Sequence, residues 1–463
     1  MALAPSLFLI IGSSVQWLLD RRAIRASRYV PIGAAILSLL GVILLDVAVT
    51  RAALWVPLEL FGPGFEFRLD NTTWPFVLLA TGQLIAAILR QMGTLSPLYL
   101  MTWGVGIAAI LASNVLTAAV LWTVLASAEV MICLKANAKL EHLLIRIWSN
   151  VAAVVLVLAF ALSGAGTQMP PDGMLLALAV VLRTLPITPG PLESRGTPHA
   201  SLAGLTALVA LSTAARQIAA VEQLEGLIAI GGLGLLLSMA SWVARPSIQW
   251  TLPQGLVCAG LLIAGLSAGE HWRTFATVAA VISIGRGLLL HGDRAWRPRR
   301  WAAAIATGLL PLGFPSPSPW SLERIFAALA VAVLVLGILG VPDKDPDARR
   351  QDRAIWELAV LIVCAFYVVV RIGFAPEGVV AGAVGVALGS LGALGIARFR
   401  ERMALTIQVN EALAGLEKSL SALWETVAQA IRSVTGLLEG QSAVLWMFLA
   451  LLTAAIVLRI GSR

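Results

Sequence analysis

The chain is 463 residues long, 59% hydrophobic and 13% charged, with a mean hydropathy of +0.89. Soluble domains carry roughly 25% charged residues, so this composition excludes a soluble globular protein and points to an all-α polytopic membrane protein. The net charge of +8 is not read as a nucleic-acid surface, because excess Lys and Arg in such a chain gather in cytoplasmic loops.

At roughly twenty apolar residues per crossing, the sequence taken in chain order predicts about sixteen transmembrane helices. Their approximate cores are 4–19, 30–50, 73–90, 95–113, 114–134, 147–164, 173–186, 199–216, 225–243, 251–268, 272–291, 300–313, 322–341, 354–373, 376–397 and 442–461. The first run flows into "DRRAIRASR" without a small-residue cleavage site, so no cleavable signal peptide is expected. Between spans two and three, "LWVPLELFGPGFEFRLD" alternates apolar and polar residues around Gly62-Pro63-Gly64, which predicts a small hairpin on the outer face. Spans seven and twelve are short and end in proline, the pattern of broken helices. After span fifteen, Leu413, Leu416, Leu420, Leu423, Val427, Ile431, Val434 and Leu437 recur at helical spacing, opposite Glu411, Glu417, Lys418, Glu425 and Arg432. A lateral amphipathic helix about 60 Å long follows from this at 1.5 Å per residue, packed on protein in preference to lipid. The expected organisation is a bundle of about fifteen spans over 1–397, the lateral helix over 398–440 and a final transmembrane helix over 441–463.

Placing the "DRRAIRASR" loop in the cytoplasm and alternating thereafter puts about 21 Lys and Arg on the cytoplasmic side and about 8 on the other, as the positive-inside rule requires. Both termini then fall on the non-cytoplasmic face. The membrane is assigned as a bacterial inner (cytoplasmic) membrane.

The chemistry-bearing residues are few. Arg183 lies late in span seven, with four prolines close behind it. It is either an intramembrane cation beside a broken helix or a side chain reaching the interface. As a fixed cation it sets a field or holds an anion, but it is a poor proton relay. Glu129, in span five, is a candidate partner for an arginine; the alternative is an interfacial pair with Lys135. Arg286, flanked by glycines in span eleven, is again intramembrane or interfacial, and Asp46 is read as interfacial. Cys133, Cys258 and Cys364 are read as small buried thiols, and His142, His199, His271 and His291 show no ligand spacing. There is no phosphate loop, no dinucleotide fingerprint and no nucleophile constellation. No cofactor, metal site or active site for covalent chemistry is expected in this chain.

The order of these features resembles one family, the antiporter-like membrane subunits shared by respiratory complex I, membrane-bound hydrogenases and Mrp-type cation antiporters. "ELFGPGFEFRLDNTTWPFVLL" resembles the family's hairpin leading into the third span, and "SNVLTAAVLWTVL" its fifth span. "AKLEHLLIRIWSNVAAVVL" looks like the segment entering the sixth. "VLRTLPITPGPLESRGTPHASLAGL" is similar to the broken seventh helix and the loop beyond it. "ISIGRGLLLHG" resembles the eleventh span and "LLPLGFPSPSPWSLER" the broken twelfth.

The resemblance implies a central axis of ionisable residues that carries protons, and this sequence departs from it. Aligned on Asn114 and Trp122, the fifth-span glutamate becomes Thr123, with Glu129 six residues on and off that helical face. The seventh-span lysine becomes Arg183, the eighth-span ionisable residue falls near Gly204 to Thr206, the eleventh-span lysine becomes Arg286, and the twelfth-span lysine falls near Leu322, beside Glu323. The ion-relay candidates are therefore Arg183, Arg286, Glu129, Thr123 and Glu323.

The resemblance implies an antiporter-like subunit of a multi-subunit membrane complex that translocates protons or exchanges H⁺ for Na⁺. At most it would be a non-redox membrane subunit of an ion-translocating oxidoreductase complex. Its partners would be other integral membrane subunits, lipids, and protons or Na⁺, with no nucleic acid. The alternatives are a structural subunit that has lost conduction, the membrane subunit of an inorganic-carbon uptake complex, and a stand-alone secondary transporter with its substrate at the broken helices.

Overall fold

A computed structural model describes residues 2–45, 53–56, 65–90, 95–135, 140–164, 172–184, 199–218, 221, 224–244, 248–266, 271–289, 297–313, 322–339, 352–372 and 378–402. Contacts divide the chain into two compact units, Met1–Val56 with Phe65–Ala393, and Pro57–Gly64 with Leu394–Arg463. In the second unit the described residues are helical, 394–402. The packing below belongs to the first.

Among the described residues there are fifteen α-helices and two short strands. The helices are α1 (Ala4–Arg21), α2 (Val30–Leu44), α3 (Trp74–Arg90), α4 (Pro97–Leu111), α5 (Val115–Lys135), α6 (Leu140–Gly164), α7 (Gly173–Thr184) and α8 (His199–Gln217). They continue as α9 (Glu225–Ala244), α10 (Ile248–Leu266), α11 (His271–Leu289), α12 (Arg297–Thr307), α13 (Leu322–Leu339), α14 (Asp352–Ile372) and α15 (Gly378–Arg402). Each of the first fifteen expected spans overlaps one helix, in order. At the twelfth, α12 runs to Thr307 and Leu310–Gly313 forms a tighter 3₁₀ turn, where Pro311 brings no N–H to an α-helical ladder. The prolines that follow α7, the segment 314–321, the lateral helix beyond Arg402 and the sixteenth span lie outside the described residues.

Several outer helices are inside out by the standards of a protein in water. On α1 the buried side carries Ser6, Ser13 and Gln16, while Leu7, Phe8, Ile11, Val15 and Leu18 are exposed. The buried polar groups reach backbone carbonyls at α4: Ser6 Oγ donates to Gly104 O at 2.7 Å, Ser13 Oγ to Pro97 O at 2.7 Å and Gln16 Nε2 to Leu95 O at 2.6 Å. On α14, Leu361, Cys364, Ala365 and Val368 are buried in the bundle, where α14 packs on α3 and α11. Its other face, Ile362, Val363, Phe366, Tyr367 and Val370, is just as apolar and is exposed. A helix that is apolar all round, with its polar groups turned inward, suits acyl chains as its solvent. Among the described residues, Ala26–Leu44 and Val115–Ile132 are long and apolar enough to cross a bilayer, and nine further apolar helices are shorter, at 10–17 residues.

The expected hairpin is present as β1 (Ala53–Val56) and β2 (Phe65–Arg68), antiparallel, with Ala53 opposite Arg68 and Val56 opposite Phe65. Its Gly62-Pro63-Gly64 tip lies outside the described residues. β2 fastens the ends of three helices. Glu66 O accepts from Ser113 N at 2.9 Å, and Glu66 N donates to Thr117 Oγ1 on α5 at 3.1 Å. Arg216, in the last turn of α8, donates from Nη2 to Arg68 O at 2.6 Å and pairs with Asp70 Oδ2 at 3.3 Å. Asp70 Oδ1 also accepts from Thr72 N at 3.1 Å and Thr73 N at 3.0 Å, which caps the start of α3. Asp70→Ala removes the cap and the ion pair together and is expected to cost about 2 kcal/mol. Thermal unfolding in detergent measures this. Asp70→Asn keeps a capping oxygen and should recover about half of the loss, whereas equal stability of Asp70→Ala and the parent would remove the clamp.

Close helix approach is supplied by glycine. Gly231 of α9 lies against the α10 backbone, where an added Cβ would stand 2.5 Å from Leu262 N and 2.7 Å from Cys258 O. Gly226 meets the Met174 backbone at the start of α7 in the same way. Along α15, Gly385 and Gly389 sit over Ala328 O and Ala332 O of α13. Such contacts bring backbones together where no hydrophobic force separates protein from solvent.

Candidate functional site

Four neighbouring helices, α5 to α8, bring the site together. Their starts are set locally. Asn114 Oδ1 accepts from Thr117 N at 2.7 Å ahead of α5, and Asp172 Oδ1 accepts from Met174 N at 2.8 Å ahead of α7. With the helices begun there, Trp122 and Glu129, seven residues apart, share one face of α5, and Arg183 falls one residue before the end of α7.

Arg183 is 0% exposed and Glu129 4%. The guanidinium grips the carboxylate with both ends, Nη2 to Oε1 at 3.0 Å and Nη1 to Oε2 at 3.3 Å. Nη1 also donates to Asn150 Oδ1 from α6. Thr206 of α8 donates its hydroxyl to Glu129 Oε1 at 2.8 Å, with Leu202 O as a second acceptor at 2.9 Å. The Trp122 ring centroid stands 6.0 Å from Arg183 Cζ, at the limit of a cation–π contact. Glu129 lies six residues from the end of α5 and Thr206 seven from the start of α8, so both sit about 10 Å inside the same end of these antiparallel helices.

Burying two charges is tolerable only when they are paired and hydrogen-bonded, and a bidentate arginine–carboxylate contact is the strongest form of that pairing. Arginine holds its charge at any working pH, so of the two it is Glu129 that can exchange a proton. Among the described residues no group of three His, Cys, Asp or Glu side chains could hold a metal ion.

The structure thus brings two of the sequence candidates together, Arg183 and Glu129, in the arginine pairing, while the Lys135 side chain of the interfacial alternative lies outside the described ones. Thr123 is not gathered with them. Six residues from Glu129, it is turned about 120° around α5; it is exposed, and its hydroxyl donates to Ala119 O at 2.9 Å. Arg286 and Glu323 lie within α11 and α13, but their side chains fall outside the described ones, as does that of Cys133. Cys258 and Cys364 are buried.

Sequence reasoning missed three residues. Asn150 was passed over inside span six, although an amide in the run "SNVAAVVLVL" is itself a signal, since a buried amide needs partners. Thr206 was noted only as untitratable. Arg324 falls inside the expected thirteenth span but was not singled out; it is 1% exposed on α13. A further buried polar contact joins Gln83 Nε2 of α3 to Ser283 Oγ of α11 at 2.9 Å, and nothing in either stretch marks it.

The fold and site define a helical integral membrane bundle with a buried ion pair between four of its helices. The same fold occurs in chains of two of the complexes that the sequence resembled, complex I and Mrp, and of a third complex. A chain of respiratory complex I from Thermus thermophilus matches with a TM-score of 0.54 at 18% identity, over 85% of this chain and 100% of that one. A chain of the Mrp complex from Dietzia sp. DQ12-45-1b matches with a TM-score of 0.62 at 13% identity, over 99% of this chain and 63% of that longer one. A chain of the membrane-bound sulfane sulfur reductase, an archaeal respiratory membrane complex, matches with a TM-score of 0.56 at 12% identity, over 98% and 99%. No protein-family model matches the chain, and no curated protein sequence does.

Proposed function

We propose that the chain is an antiporter-like subunit of a multi-subunit membrane complex, and that it moves protons, or exchanges H⁺ for Na⁺, past the Arg183–Glu129 pair. The fold shared with chains of three such complexes supports the assembly. The observation that carries the transport reading is the pair itself: a carboxylate 4% exposed, held by a guanidinium and a hydroxyl, where an apolar core would be less costly if nothing had to move. Arg183 supplies a fixed positive charge, and Glu129 is the member that takes and releases the proton. Arg286 and Glu323 are proposed further members. In this reading the chain crosses a bacterial inner membrane about sixteen times with both termini outside the cytoplasm, and the segment 398–440 braces neighbouring subunits.

Transport by the assembled complex in vesicles tests this. Arg183→Ala should lower it about tenfold or more, the equivalent of losing a little over 1 kcal/mol from the rate-limiting barrier. Unchanged transport would remove Arg183 from the mechanism and favour the second reading, a subunit kept for its architecture. That reading has its own support: Arg183 cannot release a proton, and the side chain from α8 at Glu129 is an untitratable threonine.

A further inference from the structure

We infer that Asn150 is a positioning residue that holds Arg183 in place while Glu129 gains and loses its proton. The inference rests on the reading of Glu129 as the proton-exchanging group. It starts from the division of labour at the guanidinium. Nη2 has Glu129 Oε1 at 3.0 Å, whereas Nη1 is shared between Glu129 Oε2, at a longer 3.3 Å, and Asn150 Oδ1. Asn150 is 2% exposed and comes from α6, which packs against both α5 and α7.

The state of its amide shows which end the site requires. Asn150 Oδ1 is engaged by Arg183, while Asn150 Nδ2 is buried and has no hydrogen-bond partner among the described residues. Turning the amide over would relieve nothing, because it would set N–H groups against the N–H groups of the guanidinium. The side chain therefore leaves its donor unmet so as to present an oxygen.

That oxygen does not titrate, and this decides its use. When Glu129 takes up a proton, an O–H bond forms on the carboxylate, no other bond breaks, and the local charge goes from zero to plus one. The carboxylic acid is a weaker acceptor for Arg183 than the carboxylate was. Asn150 Oδ1 offers the same acceptor in both states, so the buried guanidinium keeps a partner throughout. The Thr206 hydroxyl can follow the change by turning from Glu129 Oε1 to Leu202 O, 2.9 Å away.

The ionisable groups on the elements packed around α5 bear on this balance. Arg183 comes from α7 and is in contact with Glu129. From α4 there is Tyr99, and from β2 Glu66 and Arg68, both of which lie towards the opposite end of α5. α8 carries His199 and Arg216 in its first and last turns, and α6 carries Glu141, His142 and Arg146 ahead of Asn150.

The test is infrared spectroscopy of the full chain in lipid vesicles across a pH series. The carboxylic-acid C=O band of Glu129 is identified by its loss in Glu129→Gln and kept apart from aspartate bands by ¹³C-labelled glutamate. Asn150→Leu withdraws a neutral acceptor, so Arg183 depends more on an ionised Glu129, and the acid band should weaken on the order of tenfold at matched pH. Asn150→Asp sets a second carboxylate on the same guanidinium, and the acid band should strengthen by a similar factor. Asn150→Gln retains the oxygen and should stay near the parent. A merely structural role predicts no such opposition of sign: bands that move the same way, or not at all, in the Leu and Asp variants overturn the inference. If Asn150→Leu does not fold, equal bands in Asn150→Asp and Asn150→Gln overturn it. Transport measured on the same vesicles separates the two proposals. Undiminished transport in Glu129→Gln defeats the proposed function, whereas lost transport with unmoved bands in the Asn150 variants defeats this inference alone.

Discussion

Glu129→Leu on its own is expected to destabilise the chain by about 3–5 kcal/mol, and adding Arg183→Met is expected to return most of that loss. The single change leaves a guanidinium that is 0% exposed without its carboxylate, with Asn150 Oδ1 still accepting from Nη1. The double change removes both charges and fills the space with side chains of similar bulk, so no desolvated ion remains. A double-mutant cycle on chemical unfolding in detergent reads the coupling directly. A double variant as unstable as Glu129→Leu would mean that the four helices need the ions for their packing and not for an activity. If the stable double variant is inert in transport, the pair is kept for function at no gain in stability.

The second large effect lies away from the site. Gly231→Val is expected to cost about 3 kcal/mol or more, because the new atoms meet Leu262 N at 2.5 Å and Cys258 O at 2.7 Å, and a helix backbone cannot step aside as a side chain can. Gly234→Ala should be milder, since its added Cβ meets the Cys258 Sγ at 2.5 Å, the end of a side chain that can rotate. Gly232→Ala has its nearest neighbour at 3.9 Å, Leu262 Cδ1, and should be neutral or slightly stabilising through helix propensity. Thermal unfolding of the three variants ranks them. A ranking with Gly232→Ala worst would show that α9 and α10 do not approach as described.

Helix order was legible because apolar run length is a direct physical requirement of the bilayer, and residue type alone reports it. The hairpin was legible from its alternation. The two site charges were legible for the same reason in reverse, since an ion in an apolar run must be explained. Their pairing was not: Glu129 and Arg183 are 54 residues apart, and nothing in either stretch says which helices are neighbours. Alignment to a family pattern led instead to Thr123, because matching on Trp122 fixes a sequence position and not a helix face. Asn150 and Thr206 were illegible as site members for a related reason. An amide or hydroxyl in a membrane helix commonly satisfies itself locally, as Thr213 does on Val209 O at 3.0 Å.

The charge on α7 bears on how the protein is made. Gly173–Thr184 carries a buried arginine, Arg183, in its last described turn. An arginine within a lone apolar helix disfavours lateral release from the translocon, by up to about 2.5–3.5 kcal/mol when it lies at the helix centre. The carboxylate that neutralises it is synthesised earlier, on α5. Biogenesis is therefore expected to hold α5 and α6 at the insertion site until α7 emerges, so that the three partition into lipid as one neutral unit.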